Sequence, residues 1–340
     1  MSARPFHSHG KGCSVQRLAV SEDGISVGCG HNGRKADRLT GIMRSTFLIL
    51  TGIGYPEYSS VKSKRMYSDH AKVGLLVLTE YLGKSFEEFV RILPSLKDVV
   101  KVSGIRDIPD GSTLRKFRKR LDARILDKVI SYQSMMIVGN SKVTAAVDAT
   151  GLSTSHASRY YISRLKYFGT EKCIVRGYTK LSLAVCVDTK AILAADTVGS
   201  RTHDIKRLEH IVKRLASSDV FVEYVVADKG YDAEHAHEMI RECLNAEAII
   251  PARDDGDTPI NRMFGPNRKR MRKELTEGSE KRTIYHKRSL SETVNSMMKR
   301  VLGEVLSGRN EETRHSETMF RCIAHNFRVG MELSSSGMLV

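Results

Sequence analysis

Past residue 143 the hydrophobic pattern of this chain changes period, and a chain that makes that change is not an all-helical bundle. Over residues 72–138 apolar positions recur at helical spacing: Val73, Leu76, Val77 and Tyr81, then Phe86, Phe89, Val90 and Leu93. Short apolar runs then take over. Residues 143–148 read as a strand ending in a carboxylate, Asp148, and residues 181–187 and 191–198 as two strands around the turn Asp188-Thr189-Lys190. A helical stripe (Ile205, Leu208, Ile211, Val212, Leu215) follows. Next come a strand at 222–227 that stops at Asp228, a helix over 233–244 and a strand at 248–250. Three strands, helix, strand, helix, strand is the order of a mixed sheet flanked by helices. The expected fold is therefore α/β, preceded by a small all-helical domain.

That helical domain is expected over residues 66–140. Pro94 and Ile108-Pro109-Asp110-Gly111 punctuate it, and Ser112 reads as the cap of a helix with the stripe Leu114, Phe117, Leu121, Ile125 and Val129. The other face carries Arg115, Lys116, Arg118, Lys119 and Arg120, which suits a helix-turn-helix-like DNA reader or a solvated face on a structural bundle. The chain has 55 Lys+Arg against 39 Asp+Glu, a net charge of +16, so an anionic partner is implied, and nucleic acid is the commonest one. Residues 1–65 read as a flexible basic tail and lead-in. His7, His9, Cys13, Cys29 and His31 within it match no common zinc spacing. The six cysteines are scattered without a CxxC, as in a reduced cytosolic protein, and no apolar run approaches the ~18 residues of a membrane span.

A carboxylate that ends an apolar strand is tolerated when paired, hydrated or bound to metal. Asp148 and Asp228 both do so, in a basic chain, which points to a shared metal site as well as to plain turn capping. On a continuous helix, Tyr285, Arg288, Glu292 and Lys299 fall within about 60° of one another. Leu290, Val294, Met297, Met298, Val301 and Val305 fall opposite. The plain alternative is an amphipathic surface helix with an Arg288–Glu292 pair. The basic run around Arg268, Lys269 and Arg270, inside an insertion over 253–284, is expected to follow a DNA backbone. Arg159, Tyr160, Tyr161, Arg164, Lys166 and Tyr167 alternate bases and aromatics, as a DNA-contacting segment or a solvated loop does. Asp232 and His203-Asp204 read as helix caps, and Asp188 as a turn residue.

Three motifs in order carry a resemblance. Val147-Asp148-Ala149-Thr150-Gly151, Ala227-Asp228-Lys229-Gly230-Tyr231-Asp232 and the spacing Tyr285-x2-Arg288-x3-Glu292-x6-Lys299 resemble the DDE transposases of prokaryotic insertion sequences, in the group with a Y-(2)-R-(3)-E-(6)-K signature. Pro109-Asp110-Gly111-Ser112-Thr113-Leu114 is similar to the segment before their catalytic domain. The acids lie 80 and 64 residues apart, as in the compact subgroup without a large β insertion. The resemblance implies a ribonuclease-H-like domain over 141–330, with Asp148, Asp228 and Glu292 as catalytic acids holding two Mg²⁺, for which Mn²⁺ substitutes. It implies that Tyr285, Arg288 and Lys299 contact DNA phosphates. The expected activity is DNA cleavage and strand transfer at the element's terminal repeats, by a cytoplasmic, nucleoid-associated enzyme working as a homodimer. A catalytically silent or domesticated DNA-binding protein, or a nuclease or resolvase on the same core, is the alternative.

Overall fold

The computed structural model describes residues 35–59, 64–154, 178–199, 202–253, 265–275 and 278–336. The candidate zinc ligands of the tail, the Arg159–Tyr167 segment and residues 254–264 of the basic insertion lie outside the described residues.

Among the described residues six helices precede the sheet: α1 (Lys35–Gly52), α2 (Asp69–Tyr81), α3 (Phe86–Ile92), α4 (Lys97–Ser103), α5 (Gly111–Arg120) and α6 (Ala123–Val138). The first corrects the expected lead-in over 1–65. Leu39, Ile42, Met43, Ile49 and Leu50 of α1 are buried, because their helical spacing gives α1 an apolar face that docks on α2. Gly74 makes that approach possible, since a Cβ there would stand 2.1 Å from the Met43 sulfur. The single helix expected from Ser112 to Val129 is two helices. Asp110, not Ser112, caps α5 by accepting from Ser112 N, and Leu121 is extended. Asp122 then accepts from Arg124 N and starts α6.

The strand pattern is realised as β1 (Val143–Ser153), β2 (Tyr178–Cys186), β3 (Ile192–Gly199), β4 (Val222–Ala227) and β5 (Glu247–Ile249), in the order β3-β2-β1-β4-β5. β1, β2 and β3 are antiparallel; β4 and β5 run parallel to β1. The intervening helices are α7 (Ile205–Ala216) and α8 (Glu234–Leu244). After the sheet come α9 (Pro266–Glu274), α10 (Glu280–His286), α11 (Ser289–Leu302) and α12 (Glu311–Ser335). This is the ribonuclease-H-like α/β arrangement. Among the described residues no helix is long and apolar enough to cross a membrane.

Side chains on a strand alternate between faces. Ala145 and Val147 of β1, with Val225 and Ala227 of β4, pack under α7 and α8. Ala146, Val226 and Ile249 face the other way, toward Met271, Ile284 and Leu290 of α9–α11. On that same side one apolar cluster runs from Leu39 and Leu76 through Leu126 to Leu183, Val294 and Phe320. The helical segment therefore has no core of its own: it shares one with the sheet, and no break in packing marks the boundary expected at residue 140. The long α12 closes this core. Gln133 Nε2 donates to Ile323 O at 3.4 Å, Arg328 reaches Tyr81 O at 2.5 Å, and the Asn326 amide donates to Ile192 O at 2.9 Å.

Candidate active site

Two consequences of the sheet place the first two acids. Asp148 lies two residues beyond Ala146 and Asp228 two beyond Val226, so both belong to the face that looks toward α11. Val147 pairs with Ala227 in the parallel ladder, which brings the two carboxylate-bearing positions side by side where the strands part. Asp148 is not at a strand end, as the apolar run implies. β1 continues to Ser153, because Ala149–Ser153 pair with β2, a partner that the run itself does not reveal.

The Asp228 motif accounts for itself residue by residue. Asp228 Oδ1 accepts from Gly230 N at 2.8 Å and caps the short turn Lys229–Tyr231. Tyr231 is buried under α7 and α8. Asp232 is no helix cap. Its buried carboxylate accepts from Arg268 Nε at 2.7 Å and from Arg253 N at 2.8 Å. The Arg253 side chain also holds the carbonyls of Lys229 and Gly230, both at 2.9 Å. Asp204 does not cap α7 with its side chain either, and pairs instead with Lys180. Asp188 stands in the β2–β3 turn, as expected.

Glu292 comes from α11, and here the continuous helix of the sequence reading is corrected. The chain turns at Lys287 and Arg288, where backbone bonds run to the third residue back (Arg288 N to Tyr285 O, 2.9 Å; Ser291 N to Arg288 O, 2.9 Å). Tyr285 therefore belongs to α10 and packs against the cluster of Ala146, Val226 and Met271, while Arg288 stands at the start of α11. The buried face of α11 is Ser291, Val294, Asn295, Met298 and Leu302; Val301 and Val305 are exposed. Glu292 and Lys299 do share a face. With Asp148, Ala149, Thr150, Asn295, Ser296, Arg300 and Glu304 they line an open cleft of about 510 Å³. Arg300, Glu304 and Asn295 carry no signal in the motif spacing, although Asn295 lies one turn beyond Glu292.

The frame under α11 is fixed at its far end. Ser153 N donates to Glu304 O at 3.0 Å and Leu306 N to Ser153 O at 2.8 Å, tying the end of β1 to the segment after α11. Arg321, buried on α12, donates to the carbonyls of Gly303 and Val305 at 2.7 and 2.9 Å and is itself paired with Glu317 at 2.7 Å. Glu317 also accepts from the Ser307 and Gly308 backbone N–H groups.

The electrostatics reflect like charges gathered near one spot. Burial raises the Asp148 carboxyl above the ordinary range. A backbone N–H at Ala149 and the Arg288 guanidinium oppose the rise, and the charges of Asp228 and Glu292 add to it. Arg288 Nη2 donates to Glu292 Oε1 at 2.9 Å. Partial burial works against the Arg288 charge, but Tyr285, Glu292 and Asp148 together hold it more firmly protonated. Glu292 is turned to Arg288 and Asp228 does not line the cleft; among the described residues no three acidic, His or Cys side chains stand close enough to enclose a metal ion.

The expected DNA-facing bases fare unevenly. Arg118 is buried, 7 % exposed, paired with Glu80 at 3.3 Å and stacked 4.7 Å from the Phe86 ring centroid, so it is no surface contact. Arg115 pairs with Glu87; Lys116, Lys119 and Arg120 are exposed. On α9, Arg268 is committed to Asp232 and Arg270 pairs with Glu247 and Glu274, while Lys269 is half-buried.

A family model described as the transposase DDE domain matches residues 139–327, over half of the chain. No curated protein matches it. The matched segment begins at the turn after α6 and ends within α12, so it takes in the five described strands and the helices that carry or brace the acids. With that sheet order and that match, the chain belongs to the DDE transposase family.

Proposed function

We propose that this chain binds the ends of its own insertion element and cuts and rejoins DNA there, with Asp148, Asp228 and Glu292 as its acidic set. The observation that supports this is the parallel register of Val147 with Ala227, which aligns two carboxylate positions beneath the helix bearing the third. Divalent ions are the general requirement of the family, and the donor set fits them. Carboxylates offer hard oxygens, and a cation between the acids would offset the burial that chiefly raises Asp148 and the charges of Asp228 and Glu292 that add to it. We assign Mg²⁺ to these three residues; when bound, such ions polarise the phosphodiester and activate the attacking water or 3′-hydroxyl.

The protein's own groups do the positioning. Lys299 in the cleft and Arg288 beside Glu292 hold phosphate oxygens, Arg288 with a planar fork suited to two of them. As Arg288 engages a phosphate it releases Glu292 toward the other acids. Tyr285 backs Arg288 from α10. Lys116, Lys119 and Arg115 on α5 grip the element end, so residues 66–140 act as a DNA reader docked on the catalytic core. Of the α9 bases, Arg268 stays on the buried Asp232, and the more exposed Arg270 follows the backbone farther along. Two copies of the chain pair two element ends.

Asp148→Asn and Glu292→Gln are expected to abolish Mg²⁺-dependent cleavage of element-end DNA while leaving its binding measurable. Wild-type cleavage by both variants would overturn the assignment. Cut ends that are never joined to target DNA would instead mark a nuclease or resolvase on the same core. Asp148→Asn is also expected to melt no lower than wild type at pH 7. A carboxyl raised in the folded state contributes stability below its unfolded pKa and loses it as pH climbs through the raised value.

A further inference from the structure

Asn295 is uncharged and absent from the Y-R-E-K spacing, yet its Nδ2 donates to Asp148 Oδ2 at 2.9 Å. It is 7 % exposed, stands one turn beyond Glu292 on α11 and lines the same cleft. Its own Oδ1 is buried with no hydrogen-bond partner. Buried amides ordinarily satisfy both ends, and an unpartnered buried acceptor is costly. An amide that leaves its oxygen bare to keep a donor on a carboxylate is held there by that carboxylate. The orientation follows from the chemistry: reversed, the amide would set Oδ1 against Asp148 and leave two N–H donors unpaired.

We infer that Asn295 is a positioning residue for Asp148. With Oδ2 occupied by a rigid, buried donor, the carboxylate cannot rotate freely, and its other oxygen is the one presented to a ligand in the cleft. The same bond ties α11 to β1 across 147 residues of sequence, so it also sets the spacing between Asp148 and the helix that carries Glu292. Partners that orient metal-binding side chains in this way typically change affinity or activity by about 10–100-fold when removed. This inference rests on the acidic set proposed above, extending it to a neutral residue that touches neither DNA nor metal.

The test compares the full chain with Asn295→Ala, Asn295→Asp and Asp148→Asn. Asn295→Asp keeps the side-chain volume and an acceptor but lacks the amide donor, so it carries the test should the alanine variant fail to fold. Two readouts are taken: the rise in melting temperature that Mn²⁺ alone produces, and Mn²⁺-dependent cleavage of DNA carrying the sequences that flank this reading frame. Both Asn295 variants are expected to bind that DNA as wild type does, with kcat lower by about 10–100-fold. They should need about tenfold more Mn²⁺ for half-maximal cleavage, and their Mn²⁺-induced melting shift should be smaller. If Asn295→Asp matches wild type in both readouts, the donor has no positioning role and the inference is overturned. If Asp148→Asn itself cleaves normally, the acidic set is wrong. An inactive Asp148→Asn beside fully active Asn295 variants sinks this inference alone.

Discussion

Gly230 donates its backbone N–H to Asp228 Oδ1 at 2.8 Å, and a Cβ at Gly230 would stand 2.8 Å from that same oxygen. The backbone there has no positive φ, so alanine is tolerated by the main chain and the whole conflict falls on the carboxylate. Gly230→Ala is expected to destabilise the fold by about 1–3 kcal/mol, the usual range for overpacking, and to reduce cleavage far more than DNA binding. Urea unfolding and a cleavage assay read the two effects separately. Asp148 and Asp228 were legible because each interrupts an apolar run, a signal carried by adjacent residues. Asp232 was misread for the opposite reason. Its position before a helix invites a local cap, whereas its partners Arg268 and Arg253 come from beyond α8 and β5. Asn295 left no trace in the sequence, since a single amide on a helix meeting a carboxylate on a distant strand has no period and no charge.

At the scale of elements, the order of strands and helices after residue 143 was readable because binary patterning decides it, and each observed strand overlaps its expected run. Helix breaks were not. α5 and α6 share one apolar stripe but divide at Leu121, and α10 and α11 divide at Lys287–Arg288. In both places a short-range backbone choice overrides a continuous hydrophobic face. The buried face of α11 shows what the error costs: Asn295 and Ser291 are turned in, and Val301 is turned out. The position of α11 depends on the Arg321–Glu317 pair behind it. Glu317→Ala removes the nearer carboxylate of a buried guanidinium, leaving it Glu80 at 3.6 Å, and strips the Ser307 and Gly308 N–H groups of their acceptor. A loss of about 3–5 kcal/mol is expected in chemical denaturation. Glu317→Gln, which keeps an acceptor, should lose less.

At the scale of the molecule, α1–α6, one face of the sheet and α12 share a core, so the chain is expected to unfold in a single transition. Far-UV circular dichroism and protease cutting within α5–α6 should report the same urea midpoint; separated midpoints would mark independent domains. That shared core also encloses Glu80, whose carboxyl is pushed up to about 7, first by burial and then by the charge of Glu317, against Arg321 and Arg118. An acid raised in this way adds stability that is complete below its ordinary value of 4.5 and is lost as pH rises through about 7. Relative to Glu80→Gln, the wild-type chain should therefore lose stability across that window, as measured by melting at fixed ionic strength.

The return of α12 to the beginning of the chain has a consequence for synthesis. Tyr81 leaves the ribosome long before Arg328, its partner 247 residues later, and the faces of α2 and α6 that α12 covers stay bare for the whole interval. Closure thus waits for α12 and has a large loop to bring together, slow by the ordinary dependence of folding rate on sequence separation. A nascent chain halted before residue 311 would hold Asp148 and Asp228 on an unsealed scaffold, with the face that α12 covers left bare.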